Sequence, residues 1–423
     1  MLLYIDPGTG SMLFTVLIGI LGALFYLMRS AFFKIRFILS GGNTRDSAKK
    51  ETYTFFTDSK RYYTIFKPLC DELESRGISA RYLTASSDDP LLKENFKSIK
   101  TEFLGEGNRA IARMNMIKSD IVLSSTPGLD VYQWKRSRDV KKYVHILHAA
   151  NDPTAYRCFG LDYYDVIMVS GEYQRGQIRQ LEALRQLPAK ELPMIGLPHM
   201  DSLLKRLEES GDAPSHPKTV LLAPTWGASG ILSVYGGTII EALLKTNYHI
   251  VIRPHPQSFV SEKEMIEALK REYPESDRLE WNSEIDNFDV LRRSDILISD
   301  YSGVIFDFSL VFDKPIIYAD TSFNKDPYDA WWLDEEMWTF SILPKIGMQL
   351  TKENCMRIGS MMDMCLESTE YQNGREQARN ETWANRGDSV RRAVDYLIDL
   401  KQRIDSEEDE GKRSSSAKQE KAS

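Results

Sequence analysis

The stretch Ser299-Asp300-Tyr301-Ser302-Gly303-Val304-Ile305-Phe306-Asp307-Phe308, with Lys314-Pro315-Ile316-Ile317-Tyr318 close behind it, leaves this chain few choices of architecture. An apolar run, Asp295 to Ile298, leads into a polar turn. A helix-like run follows from Ser302 to Phe312, and Pro315 to Tyr318 is a second apolar run. Strand, tight turn, helix and strand make a βαβ unit, which closes only within a parallel sheet. The turn gathers hydroxyls and backbone N–H groups at a helix start, where unpaired donors and partial positive charge suit a phosphate. In open α/β sheets ligands sit outside the carboxyl ends of the strands, which is where this turn lies. Ser and Asp are also ordinary caps of a βα turn, so the stretch alone leaves both readings open.

A second motif narrows the choice. Tyr248 to Ile252 reads as a buried strand that runs into Arg253-Pro254-His255-Pro256. Proline fixes φ and removes a donor, so the segment can continue neither as central sheet nor as helix. A rigid loop remains, presenting a guanidinium and an imidazole that both suit phosphate oxygens. Thr219 to Ala223 is a further strand, ending at Pro224-Thr225-Trp226-Gly227.

The same alternation runs through the chain. Thr52 to Phe56 reads as a strand, Tyr62 to Arg76 as a helix and Ser79 to Leu83 as a strand. Apolar runs follow at Thr101–Leu104, Asp120–Leu123, Tyr143–Leu147 and Val166–Val169. Strands alternating with helices predict parallel α/β sheet. The breaker-rich segment Ser210 to Pro217 reads as a linker between two such series, and the second ends near Ala319. Helical stretches from Lys352 to Ser368 and Gln377 to Arg403 complete the fold, and the polar residues 405–423 read as a disordered tail. With 423 residues, 42% of them hydrophobic, two full cores are possible.

Composition excludes several classes. A net charge of −7 gives no footing for nucleic acid. Cys70, Cys158, Cys355 and Cys365 are scattered without CxxC spacing, against a zinc ribbon or a disulfide scaffold. There is no GxxxxGK[ST] and no GxGxxG. No D-x-D triplet is present either, which points to transfer without a metal cofactor.

The eighteen residues from Ser11 to Met28 carry no charge, about enough to cross a bilayer. Arg29, Lys34 and Arg36 follow, whereas Asp6 is the only charged side chain before them, so residue 29 onward is expected in the cytoplasm. The start lacks the basic residues and cleavage site of a signal peptide, and an anchor is the better reading. Ala31 to Leu39 alternates basic and bulky apolar residues, as an interfacial segment does.

Taken together, Pro224-Thr225-Trp226, Arg253-Pro254-His255-Pro256 and Ser299 through Asp307 to Lys314-Pro315 resemble the CDP-glycerol glycerophosphotransferase family, the primase and polymerase type of teichoic-acid enzymes. The resemblance covers roughly residues 140–400. It implies a GT-B-like α/β fold, two Rossmann-type domains facing a cleft, here preceded by one transmembrane helix. The expected division is 1–40 anchor, 41–210 acceptor domain, 211–404 nucleotide-donor domain with a helix crossing back, and 405–423 tail. The implied activity moves a polyol phosphate, glycerol phosphate first, from a CDP-activated donor to a hydroxyl of a lipid-linked glycan, releasing CMP. The chain is then expected at the cell membrane, single-pass, with its catalytic domains on the cytoplasmic side.

The family's Trp-His-Gly base motif falls at Leu147-His148-Ala149, so the resemblance makes His148 the general base. His255 is its catalytic partner, contacting the donor pyrophosphate with Arg253. Thr225, Ser299, Asp300, Ser302 and Gly303 complete the phosphate and nucleotide side. Asp307 is a ribose or loop partner, or an ordinary helix acid. Leu147 for Trp, Ala149 for Gly, Gly303 for a second serine and the missing Arg after Trp226 depart from the pattern. His145, on the same strand face as His148 but deeper, reads as a packed histidine, and His199 as a structural residue near a helix start. Tyr328, Trp331, Trp332, Trp338 and Phe340 read as packing. Two other classes share these features: a GT-B sugar transferase or nucleotide-sugar epimerase, and a non-catalytic envelope scaffold.

Overall fold

The computed structural model describes residues 50–211, 215–284 and 286–420, with Leu24 and Met28, and side chains as far as Glu410. The expected membrane span and interfacial segment lie outside the described residues, Leu24 and Met28 apart. Among the described residues no helix is long and apolar enough to cross a membrane. The compact unit Glu51–Ser423 carries two six-stranded parallel sheets.

The first sheet is built from β1 (Glu51–Thr57), β2 (Ala80–Thr84), β3 (Ile99–Phe103), β4 (Ser119–Ser124), β5 (Val140–Ile146) and β6 (Val166–Met168), in the order β3-β2-β1-β4-β5-β6. The second has β7 (Thr219–Leu222), β8 (His249–Ile252), β9 (Leu279–Trp281), β10 (Ile296–Ser299), β11 (Ile316–Ala319) and β12 (Gly347–Leu350), in the order β9-β8-β7-β10-β11-β12. Counted within each half, both read 3-2-1-4-5-6. The strand order reverses between β1 and β4 in one half and between β7 and β10 in the other, and ligands of doubly wound folds collect at that reversal.

Helices cover both faces of each sheet, so the strands are apolar on both sides rather than alternating with polar residues. Alternate residues enter different cores. Phe55, Leu123 and Val144 face one side of the first sheet, and Phe56, Val122 and Tyr143 the other. In the second, Leu222, Ile252 and Ile298 oppose Leu221, Val251 and Leu297.

Several contacts tie the halves. Ala150, Leu197, Met200 and Leu203 pack into the second-sheet core. Two buried carboxylates stitch across. Asp152 accepts from the N–H groups of Trp338 (2.8 Å) and Thr339 (2.9 Å). Asp201 accepts from the Trp383 indole (2.8 Å) and the N–H groups of Gly387 (2.8 Å) and Ser389 (2.9 Å). The segment after Tyr156 pairs with that around Tyr328: Asp329 N–H donates to the Tyr156 carbonyl (2.9 Å) and Cys158 N–H to that of Pro327 (3.2 Å).

Three expectations need correcting. The helix read from Gln377 to Arg403 is two helices, Thr369–Thr382 and Ser389–Glu420. Asn385 (φ 54°) and Gly387 (φ 77°) adopt left-handed conformations that end the first, and the Asp201 carboxylate caps the second. The tail continues the last helix to Glu420, and Lys141 pairs with Glu408 (2.8 Å) at its start. Of the aromatic cluster, Trp338 is buried and stacks on Tyr173 (4.5 Å, 14°), while Trp331 stays 59% exposed and Trp332 36%.

Candidate functional site

The second half's reversal point lies where β7 and β10 end, and it holds two of the sequence motifs. Ser299, the last residue of β10, is fully buried, and its hydroxyl donates to the Ala223 carbonyl (2.7 Å). Asp300 is 1% exposed and accepts from the N–H groups of Thr225 (3.0 Å) and Ile231 (3.3 Å). Burial pushes its carboxyl up to about 6 against those N–H groups. Both were expected on the phosphate. Their side chains instead turn inward and fasten the 223–231 loop to the end of β10.

What the turn offers outward is Thr225, Ser302 and Gly303, all at least partly exposed. A Cβ added at Gly303 would meet nothing within 4 Å, so its backbone stands open to a ligand. Beyond it one α-helical turn, Val304–Phe306, passes into a π-helix, Asp307–Val311, a form that recurs at functional sites. Lys314, also in the motif, is structural: its ammonium donates to the carbonyls of Arg292 and Ser294 (both 2.6 Å), and burial pushes it down to about 8.

Arg253 and His255 follow β8, beside the reversal point. The Arg253 guanidinium donates to Asn282 Oδ1 and to the Glu284 carbonyl (2.7 Å), so part of its hydrogen-bonding capacity holds the loop after β9. His255 Nδ1 accepts from the Gln257 N–H (3.1 Å). A neutral ring so held carries its proton on Nε2, which makes that edge a donor suited to a phosphate oxygen. Burial and the Arg61 charge hold His255 below its ordinary value, Glu262 opposing.

Across from these, β5 ends at Ile146 and delivers His148 to the first half's carboxyl edge. Its Nδ1 lies 2.9 Å from the Tyr156 hydroxyl, and its ring meets that of Tyr62 edge-on (5.2 Å). Burial first, then the charges of Arg61 and His199, push it well below its ordinary value, so it is neutral at physiological pH. His145 is fully buried, as expected. Its Nε2, however, reaches the same Tyr156 hydroxyl (3.2 Å).

Tyr156 and Arg61 are the site residues that sequence reasoning missed. Arg61 follows β1 at the first half's reversal point. Its guanidinium donates to the Tyr62 hydroxyl (2.6 Å), 4.6 Å above that ring. No carboxylate pairs with it among the described residues, and its charge acts on both His148 and His255. The rule that ligands sit beyond strand ends at the reversal would have flagged it. His199 belongs to a bridge between the halves: Nδ1 meets the Thr64 hydroxyl (2.8 Å) and Nε2 the Asp307 carboxylate (3.2 Å). Burial, the largest single influence, opposes the imidazolium, but the charge and the hydrogen bond of Asp307 together outweigh it and raise His199. Asp307 is thus engaged by His199. Among the described residues no cluster of three or more His, Cys, Asp or Glu is placed to hold a metal ion.

A recess of about 770 Å³ along the last helix, lined by Glu191, Tyr396 and Arg403 among others, holds none of these residues. Within it Tyr396 and Arg403 both pair with Glu191.

Two doubly wound α/β halves, each with its reversal point at a carboxyl edge that carries histidine and arginine, define a GT-B-like fold. Solved structures share it. The wall teichoic acid polymerase TagF superposes with a TM-score of 0.53 at 14% identity, over 89% of this chain and 98% of that one. The UDP-GlcNAc 2-epimerase of Methanocaldococcus jannaschii does so with a TM-score of 0.53 at 12% identity, over 82% and 99%. At such identities the likeness is one of fold. The sequence profile of the CDP-Glycerol:Poly(glycerophosphate) glycerophosphotransferase family matches residues 115–330, and the chain belongs to that family of transferases. A teichoic acid glycerol-phosphate primase from Bacillus spizizenii is 23% identical over 294 residues, 65% of this chain and 70% of the primase. The matched region takes in His148, Thr225, Arg253, His255 and Ser302, and leaves Arg61 outside.

Proposed function

We propose that the chain is a membrane-attached transferase that moves glycerol phosphate from CDP-glycerol to a hydroxyl of a lipid-linked glycan, releasing CMP. One observation carries the reading beyond family membership: Arg61, which pairs with no carboxylate among the described residues, donates to the Tyr62 hydroxyl (2.6 Å), and that ring meets His148 edge-on (5.2 Å), so a guanidinium stands beside the histidine of the first half. A diphosphate between His148 and His255 would meet a neutral base on one side and donors on the other. The acceptor oxygen bonds to the glycerol-bearing phosphorus, the bond from that phosphorus to the CMP oxygen breaks, and the hydroxyl proton passes to His148. Thr225, Ser302, the N–H of Gly303 and the His255 Nε2–H hold the phosphates, and Arg61 and Arg253 supply positive charge.

The direct test is CMP release from CDP-glycerol, with a bacterial membrane extract as acceptor source and labelled glycerol followed into the lipid fraction. Release of UDP from a UDP-sugar would favour the nucleotide-sugar reading, and the absence of turnover and of cytidine nucleotide binding would favour a scaffold.

The proposal includes transfer without a metal cofactor, since cationic side chains can neutralise the charge a metal would otherwise meet. Turnover should persist in excess EDTA; loss on chelation with recovery on adding Mg²⁺ or Mn²⁺ would overturn this part. It also includes a single span at Ser11–Met28 with the catalytic unit on the cytoplasmic side. A reporter joined after Ser423 should be active only in the cytoplasm, and an extracytoplasmic signal would sink the topology.

A further inference from the structure

We infer that His145, acting through Tyr156, decides which nitrogen of His148 carries the proton; the consequence for catalysis rests on His148 being the base. The Tyr156 hydroxyl lies 2.9 Å from His148 Nδ1 and 3.2 Å from His145 Nε2. A phenol has one proton to give. It therefore donates to one imidazole and accepts from the other: two bare ring nitrogens would leave one lone pair facing the oxygen, and two ring N–H groups would leave the phenol's own hydrogen buried with no acceptor among the described residues. The two rings are locked in step.

If His145 holds its proton on Nε2, Tyr156 accepts from it and donates to His148 Nδ1. The proton of His148 is then on Nε2, and the ring meets a substrate as a donor. If His145 holds its proton on Nδ1, its Nε2 accepts from Tyr156, and Tyr156 accepts from His148 Nδ1–H. His148 Nε2 is then a bare lone pair, and only this arrangement can take a proton from an attacking hydroxyl. The His145 Nδ1 is buried without a hydrogen-bond partner, with the Tyr164 ring 5.0 Å away edge-on. Among the described residues Tyr156 is the hydrogen-bond partner of the His145 ring, so the tautomer of His145 is passed to His148 through that hydroxyl.

During transfer the acceptor oxygen bonds to phosphorus, the phosphorus–oxygen bond to CMP breaks, and the hydroxyl proton moves to His148 Nε2. The resulting imidazolium donates its Nδ1–H to the Tyr156 oxygen, and the phenol keeps its own proton, donated to His145 Nε2. His145 is a positioning residue where strand spacing alone suggests only core packing.

The tautomers can be read directly. The full chain has six histidines, and ¹⁵N-histidine labelling with long-range proton–nitrogen correlation distinguishes Nδ1–H from Nε2–H, with His148→Gln identifying the ring of interest. The native chain should show His148 protonated on Nδ1. His145→Phe keeps a ring in the core but removes the acceptor, so Tyr156 turns its proton to His148, which becomes Nε2–H. His145→Gln places an acceptor oxygen near the lost Nε2 and should return His148 to Nδ1–H. CMP release from CDP-glycerol should fall about tenfold or more in His145→Phe and largely recover in His145→Gln.

A His148 that is Nε2–H in the native chain, or whose tautomer ignores His145→Phe, overturns the relay. Tautomers that shift as expected with CMP release unchanged would keep the relay and remove His148 as base. Should His145→Phe not fold, Tyr156→Phe reads the same coupling. Without the hydroxyl, His148 should show the mixed tautomers of a free imidazole, and an undisturbed Nδ1–H signal would again refute the proposal.

Discussion

Replacing His148 by alanine is expected to cut turnover of CDP-glycerol by about 10²–10⁴-fold while CMP binding stays nearly unchanged. The imidazole stands at the carboxyl edge of the first sheet with Nδ1 occupied by Tyr156, so only Nε2 is open to a substrate. Its loss removes proton transfer and leaves the second half's donors in place. The pH dependence has a definite sign. Burial, Arg61 and His199 hold the folded-state value below the ordinary one of about 6.5. A base must be neutral, so the rate falls as pH drops through that lowered value, and the acid limb lies below about 6.5. Stability follows the same direction: the unfolded chain protonates this histidine below about 6.5 and the folded chain resists, so stability is lost as pH falls. Circular dichroism at each pH separates the two effects. A variant with native turnover would end His148's candidacy.

The second large effect is expected at His255. Removing its imidazole should lower kcat/KM for CDP-glycerol by about tenfold or more, the worth of a hydrogen bond to a charged phosphate. Arg253→Ala should act in the same direction with an added signature. Its guanidinium also binds Asn282 and the Glu284 carbonyl, so the melting temperature should fall as well. His255→Ala, whose Nδ1 partner is only the neighbouring Gln257 N–H, should melt near the native temperature. Native donor kinetics in both variants would move the phosphate site elsewhere.

Much of the fold was legible because parallel strands buried on both faces write long apolar runs, and the breakers between them mark the turns. The 299–318 unit, the strand ending at Arg253 and the cleft-edge place of His148 all follow from that pattern. Side-chain direction at a turn does not. Ser299 and Asp300 sit in a turn whose composition suits phosphate, yet the 223–231 backbone needs a donor at the Ala223 carbonyl and acceptors at the N–H groups of Thr225 and Ile231, and that draws both side chains inward. Asp307 looked ambiguous because its partner, His199, is more than a hundred residues away in sequence. Tyr156 left no trace at all: eight positions from His148, in a short irregular segment, it belongs to no period that could be counted. The break at Asn385–Gly387 was written in the residues themselves, but helical spacing on both sides hid it.

The strap between the segments around Tyr156 and Tyr328 has a bearing on timing. Tyr156 gives its carbonyl to a backbone group of the second half and its hydroxyl to two histidines of the first. Any rotation that parted the halves at this seam would pull on the residue that arms the proposed base. Alignment of the base would then depend on the seam being shut, and a loosely held donor would find water plentiful but deprotonation poor. Guarding an activated nucleotide against wasteful hydrolysis would need no separate lid, only a tyrosine placed on the seam.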